Sequence, residues 1–221
     1  MSGAPVRGLY ALADDDPRWG RDPVEQARAA LAGGASVVQL RAKHASDRQA
    51  LAWARAIGDL CRMHGARFFL NDRFDLALAA GADGVHLGQD DLPPERLPAA
   101  ARARLLVGRS THTPEQLRAA AREPVDYVAF GPVFGTTSKD SPWSARGLDA
   151  LAQAVRMAAP RPCVAIGGID AARAGECVRA GAAAVCVISA IAGAPDMEAA
   201  ARALTDAIAR AAAGGAEPAR R

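Results

Sequence analysis

Lysine is nearly missing from this chain. Lys43 and Lys139 are its only two lysines, so arginine supplies the other 25 of the 27 basic residues. A chain that uses arginine almost everywhere marks the two exceptions, although two lysines in 221 residues also arise by chance. An excess of one charge is lacking as well. The net charge is +3, and part of it sits in Arg220 and Arg221 at the end of a Gly/Ala/Pro-rich tail. That bias is too small to argue for nucleic acid or a membrane surface as partner. No apolar run approaches the roughly 18 residues of a membrane span. Residues 1–5 lack the basic and apolar regions of a signal peptide, so a cytoplasmic protein is expected. Cys61, Cys163, Cys177 and Cys186 form no C-x-x-C pair. That argues against a zinc knuckle or redox motif and for reduced, buried thiols. No serine/histidine/acid set or reactive cysteine stands out as a nucleophile.

The chain is half hydrophobic and 23% charged, enough to bury a sizeable core. Alanine fills about a quarter of it, which favours helix and blurs apolar periodicity. Short apolar runs at 9–12, 37–41, 67–70, 84–87, 105–108, 127–130, 163–166 and 184–188 read as strands. Helical stretches follow them at 23–32, 47–64, 73–79, 94–103, 114–122, 145–158, 171–179 and 197–212. Thr113-Pro114-Glu115 and Asp170 are helix-start signals, and Gly33, Gly65, Gly81 and Gly181 are stops. The stretches at 33–38, 80–85 and 180–185 echo one another as helix end, tight turn and buried strand. Strands apolar throughout and joined by helices imply a parallel sheet covered on both faces. Eight such units predict a single-domain closed (β/α)8 TIM barrel over 1–213, with 214–221 as a flexible tail. An open doubly wound sheet fits less well, and no G-x-G-x-x-G follows the first strand.

In a parallel barrel the active site is built from the segments that follow the strands. Those segments here hold both lysines, three of the four histidines and much of the polar character. Asp72 and Asp91 follow neighbouring strands, and two facing carboxylates suit Mg2+. They can equally cap the helices that follow. Arg41 and Lys43 lie two apart on an extended segment and point the same way, which suits a diphosphate. They can equally pair with Asp72 or Asp91. Gly167-Gly168 and Ser189, each before a helix, fit the phosphate cup found after strands seven and eight of many barrels. The longest segment, from Gly131 to about Ser144, carries Thr136, Thr137, Ser138 and Lys139. It reads as a lid over a phosphate ligand or as a solvated loop. A metal, a diphosphate and a second phosphate suggest group transfer with diphosphate leaving.

In order, the motifs are Gln39-Leu40-Arg41-Ala42-Lys43, Asn71-Asp72, His86-Leu87-Gly88-Gln89-Asp90-Asp91 and Gly108-x-Ser110-Thr111-His112. Then come Gly131-Pro132-Val133-Phe134-x-Thr136-Thr137-Ser138-Lys139, Ile166-Gly167-Gly168-Ile169 and Ile188-Ser189-Ala190-Ile191. Seven motifs in this order, each at a strand end, resemble the thiamine-phosphate synthase family from about residue 9 to 192. The resemblance implies Mg-dependent joining of a hydroxymethylpyrimidine diphosphate to a thiazole phosphate or its carboxylate form. Thiamine monophosphate and diphosphate are the implied products. It assigns Gln39, Leu40, Arg41, Ala42, Lys43, Asn71, Ser110 and Lys139 to the pyrimidine diphosphate. Of these, Arg41, Lys43, Ser110 and Lys139 would act in the chemistry. Thr136, Thr137, Ser138, Gly168, Ile188 and Ser189 would hold the thiazole phosphate, and Asp72 and Asp91 would ligate Mg2+. Gly135 stands where proline is usual in the family, and Ser138 where threonine is common. Two other readings stay open. A thiazole tautomerase of the same barrel superfamily would keep the cup without needing the basic set, the aspartates or Lys139. A non-catalytic phosphate-binding protein would bind without turnover. Small-molecule partners are expected, with no nucleic acid and no membrane; a homodimer is left open.

Overall fold

A computed structural model describes residues 6–136 and 143–214. Eight parallel strands close on themselves in sequence order, with β1 bonded to both β2 and β8. They are β1 (Gly8–Asp14), β2 (Val37–Arg41), β3 (Arg67–Asn71), β4 (Gly84–Leu87), β5 (Leu106–Thr111), β6 (Tyr127–Phe130), β7 (Cys163–Ile166) and β8 (Ala184–Val187). The helices outside are α1 (Pro23–Ala32), α2 (Asp47–His64), α3 (Phe74–Ala80), α4 (Ala99–Arg102) and α5 (Pro114–Ala120). The ring continues with α6 (Gly147–Ala158), α7 (Ala171–Arg179), α8 (Ser189–Ala192) and α9 (Met197–Gly214). The expected (β/α)8 barrel is the fold.

Strand periodicity divides the core in two. Tyr10, Leu12, Val37, Phe69, Tyr127, Val164 and Cys186 form one buried cluster inside the barrel. Their strand neighbours, among them Leu9, Ala11, Val38, Phe68, Val128 and Val185, form the layer between sheet and helices. The helices meet that layer largely through alanine, with Ala27, Ala54, Ala77, Ala154, Ala174 and Ala201 at 1% exposure or less. The small side chain lets helix and sheet approach closely, and this is where much of the alanine goes.

Caps fix several helix starts. Asp22 accepts from Val24 N–H before Pro23, Ser46 from Gln49 N–H, Thr113 from Gln116 N–H and Asp170 from Arg173 N–H. Three expectations need correction. The helix expected at 94–103 is split into a 3-10 turn, Pro94–Arg96, and α4. Pro98 has no N–H and holds Leu97 extended, ψ 135°, so the first turn cannot continue. The fifth strand, expected to end at Gly108, runs on to Thr111, so Ser110 lies on a strand and not on a loop. The sixth helix begins at Gly147, not 145. Arg146 and Gly147 N–H are engaged by the carbonyls of Pro132 and Val133. At the other end, α9 reaches Gly214, and 215–221 lie outside the described residues.

Candidate active site

The strand ends carry the polar groups at one mouth of the barrel. Arg41 closes β2 and donates to Asp14 Oδ1 at 2.8 Å. Asp14, last in β1 and fully buried, also accepts from Trp19 Nε1–H at 3.1 Å. The next residue, Asp15, accepts backbone N–H bonds from Lys43, His44 and Ala45 at 2.8–2.9 Å. Two carboxylates at the end of β1 therefore shape the segment that presents Arg41 and Lys43. Sequence reading assigned neither one. The signal was there in the Asp14-Asp15-Asp16 run at a strand end, the position where site residues are expected.

Lys43 Nζ lies 2.5 Å from Asp72 Oδ2, so the alternative of an ion pair for Lys43 is realised. Arg41 pairs with Asp14, not with Asp72 or Asp91. Asp72 sits just beyond β3 with φ 62°, a left-handed backbone that aspartate tolerates better than most residues. Its N–H donates to the His86 carbonyl at 2.8 Å. Arg73 grips Asp47 at the start of α2 and Asp75 in α3 through forked hydrogen bonds. That guanidinium holds both carboxyls below the usual range and ties together the segments bearing Lys43 and Asp72. Asp91 accepts from Gly88 N–H at 2.6 Å, closing the turn after β4. Burial raises the Asp91 carboxyl above its usual range, and the neighbouring Asp72 raises it further. Neither aspartate makes the side-chain cap of α3 or α4.

Among the described residues no group of three or more His, Cys, Asp or Glu is placed to enclose a metal ion. The pair Asp72 and Asp91 nevertheless fits Mg2+. That ion is commonly held by one or two carboxylates and completed by substrate phosphates and water. A cation there would offset the mutual repulsion of the two carboxylates.

Gln39, 2% exposed, donates its amide to the Tyr10 hydroxyl at 2.6 Å, while its buried Oε1 has no hydrogen-bond partner. Leu40 packs in the sheet-to-helix layer and Ala42 against it, so those side chains face away from the mouth. Asn71 ends β3 on the inward face of Phe69. Ser110 lies near the mouth on β5, and His86 Nε2 is 2.9 Å from its hydroxyl.

A cleft opens beside this group, lined by Ser110, His112, Pro132, Thr136, Gly168 and Ser189, with Ile188 on its wall. Its floor depends on two glycines. Gly167 and Gly168 have φ 101° and 64°, and a Cβ on either would run into the 132–135 backbone. That backbone is bonded across, Val133 N–H to Ile166 O at 2.8 Å and Phe134 N–H to Gly167 O at 3.0 Å. The far end of the sixth segment is held by stacking. The Trp143 ring lies 5.2 Å from His112, itself bonded to the Gly131 carbonyl, and Arg146 sits over Trp143. Thr137, Ser138 and Lys139 lie outside the described residues. The structure thus gathers Gln39, Arg41, Lys43, Asn71, Asp72, Asp91, Ser110, Thr136, Gly168, Ile188 and Ser189 at one mouth.

A closed parallel barrel with its polar groups gathered after the strands defines a (β/α)8-barrel enzyme. The chain belongs to the thiamine monophosphate synthase family, whose model matches residues 9–191. A thiamine-phosphate synthase of Anaeromyxobacter dehalogenans is 48% identical over 198 residues, covering 90% of this chain and 86% of that one. One from Methanoculleus marisnigri is 46% identical over 207 residues, covering 94% and 98%. The solved thiamine phosphate pyrophosphorylase of Pyrococcus furiosus matches with a TM-score of 0.82 at 35% identity. The match covers 92% of this chain and 96% of that one. The family resemblance carried by the seven motifs is borne out, as is the transferase class of its members.

Proposed function

We propose that the protein condenses an aminopyrimidine-methyl diphosphate with a thiazole phosphate, releasing diphosphate and forming thiamine monophosphate. One observation carries this reading. A single barrel mouth combines two cations and a carboxylate pair with a separate glycine-floored cleft, as two phosphorylated ligands require. Gln39, Asn71 and Ser110 would hold the pyrimidine, and an amino donor would satisfy the unpartnered Gln39 Oε1. Arg41, Lys43 and Lys139 would engage the diphosphate. Thr136, Thr137 and Ser138, with the backbone at Gly168, Ile188 and Ser189, would take the phosphate of the thiazole or of its carboxylate form.

The ring amino group releases electrons to the methylene carbon, whose bond to the diphosphate oxygen breaks. Arg41, Lys43 and Lys139 offset the charge that grows on the departing oxygens. The thiazole nitrogen, anchored by its own phosphate, donates its pair to the methylene carbon and forms the new C–N bond. Mg2+ held by Asp72 and Asp91 would supply further neutralisation of the leaving group. No protein nucleophile is needed. This agrees with four buried cysteines, three of which burial pushes up to about 12.

The test is diphosphate release from purified protein given both substrates and Mg2+, beside Lys139→Ala. Release should need both substrates and fall sharply in the variant. Thiazole phosphate binding without release would instead favour a tautomerase or a binding protein. Small phosphorylated molecules are the partners this reading needs. Among the described residues no helix is long and apolar enough to cross a membrane.

A further inference from the structure

The chain has only two tyrosines, and both lie inside the barrel. Tyr10 on β1 and Tyr127 on β6 are 1% and 0% exposed, and their hydroxyls are 3.0 Å apart. The Gln39 amide lies 2.6 Å from the Tyr10 hydroxyl. The Tyr127 hydroxyl is 2.9 Å from His86 Nδ1, and His86 Nε2 is 2.9 Å from Ser110 Oγ. Five side chains from five strands thus form one buried chain across the barrel. Its two ends are groups assigned above to the pyrimidine diphosphate. Gly108 leaves the room, because a Cβ there would collide with the Tyr127 ring and His86 Nδ1.

A hydrogen-bond chain of this kind has a direction. Gln39 presents Nε2 to Tyr10, so the Tyr10 oxygen accepts and its O–H donates to Tyr127. Tyr127 then donates to His86 Nδ1, which leaves the neutral imidazole with its proton on Nε2. That Nε2–H donates to Ser110 Oγ, and the Ser110 hydroxyl hydrogen is left to point outward. Burial raises both phenol groups well above their ordinary value, so both keep the proton this arrangement requires. The reversed amide would run every bond the other way, with Ser110 donating inward to His86.

We propose that Gln39, Tyr10, Tyr127 and His86 form a one-way relay that fixes Ser110 as a hydrogen-bond donor toward the leaving diphosphate. Tyr10, Tyr127 and His86 are positioning residues, since they act through Ser110. The proposal rests on the functional reading above for the identity of the acceptor, but its direction does not.

The test has two arms. In the first, 15N NMR of the histidine rings in the unliganded full chain reads the His86 tautomer, assigned by its loss in His86→Gln. The relay requires the proton on Nε2, and a proton on Nδ1 overturns it. Tyr127→Phe should move the ratio toward Nδ1–H; an unmoved ratio also overturns the relay. In the second arm, diphosphate release is followed in Tyr127→Phe, Ser110→Ala and the double variant. Tyr127→Phe should lower kcat about tenfold, the value of one hydrogen bond to a charged group. It should add almost nothing in the Ser110→Ala background, whereas independent, additive losses refute the coupling. Tyr10→Phe should show the same pattern more weakly. If the wild-type chain releases no diphosphate, the functional reading fails and the tautomer arm alone decides the relay.

Discussion

Asp14→Asn is the substitution that most directly probes how the site is held. Asp14 is fully buried and its carboxylate accepts two bonds, from Arg41 at 2.8 Å and from Trp19 at 3.1 Å. Asparagine keeps the shape but offers one oxygen and one NH2 group, so one donor would face another donor. The lost charge-assisted bond is worth about 1.5–3 kcal/mol. The Arg41 side chain is 17% exposed, so water relieves part of the cost of its unpaired charge. The full 3–5 kcal/mol of a broken buried pair is therefore not expected, and about 2 kcal/mol is. For a chain of this size that lowers Tm by about 4–8 °C. Released from Asp14, Arg41 no longer holds one direction, and KM for the pyrimidine diphosphate should rise by about tenfold. Thermal melts and initial-rate kinetics check the two effects separately. Arg118→Ala, which removes an exposed pair with Glu115, is the control and should change neither. A lower Tm with unchanged KM would refute the reasoning, because Arg41 would then be a structural partner of Asp14 and nothing more.

Other outcomes follow from the same geometry. Gly168→Ala forces a side chain into φ 64° and against the Gly135 carbonyl, costing about 1–2 kcal/mol for the backbone alone. Calorimetry should show a lower Tm, and kinetics a raised KM for the thiazole phosphate with the pyrimidine KM preserved. Asp91→Asn should raise the Mg2+ concentration needed for half-maximal rate by about 10- to 100-fold or more. An unchanged Mg2+ titration would remove Asp91 from the metal site, and full activity under chelation would remove the metal. The buried thiols of Cys61, Cys163 and Cys177 are pushed up to about 12, above the value of 9.0 for an exposed thiol. Folding therefore favours their protonated form; this contribution is complete below pH 9 and is lost as pH rises from 9 toward 12. A thiol reagent at pH 8 should label the native chain only as fast as it unfolds, and rapid stoichiometric labelling would contradict the burial.

What was legible in the sequence is what depends on local chemistry. The bounds of β2, β4, β6 and β7 follow from short apolar runs, the ends of α1 and α2 from Gly33 and Gly65, and the start of α7 from Asp170. Strand ends in a parallel barrel must share one face, so linear order alone places Arg41, Asp72, Ser110 and Gly168 at one mouth. The readings that failed involve competing local signals. Arg109, Ser110 and Thr111 look like a loop because they are polar, yet Thr111 is fully buried and bonds the Ala129 carbonyl within the sheet. Pro98 lies among alanines that favour helix, and its missing N–H decides the outcome. Partnerships across the barrel were the part that could not be read. Nothing local couples Tyr10 to Tyr127, which are 117 residues apart. Each is one aromatic residue in an apolar strand, and His86 is one polar residue in another. Only the register of β1, β2, β4, β5 and β6 brings those hydroxyls and nitrogens to within 3.0 Å of each other. A buried polar side chain on a barrel strand therefore has to be read against the strands it faces. In this chain those facing strands connect the inward residues to Ser110, and through it to the mouth where the chemistry is proposed.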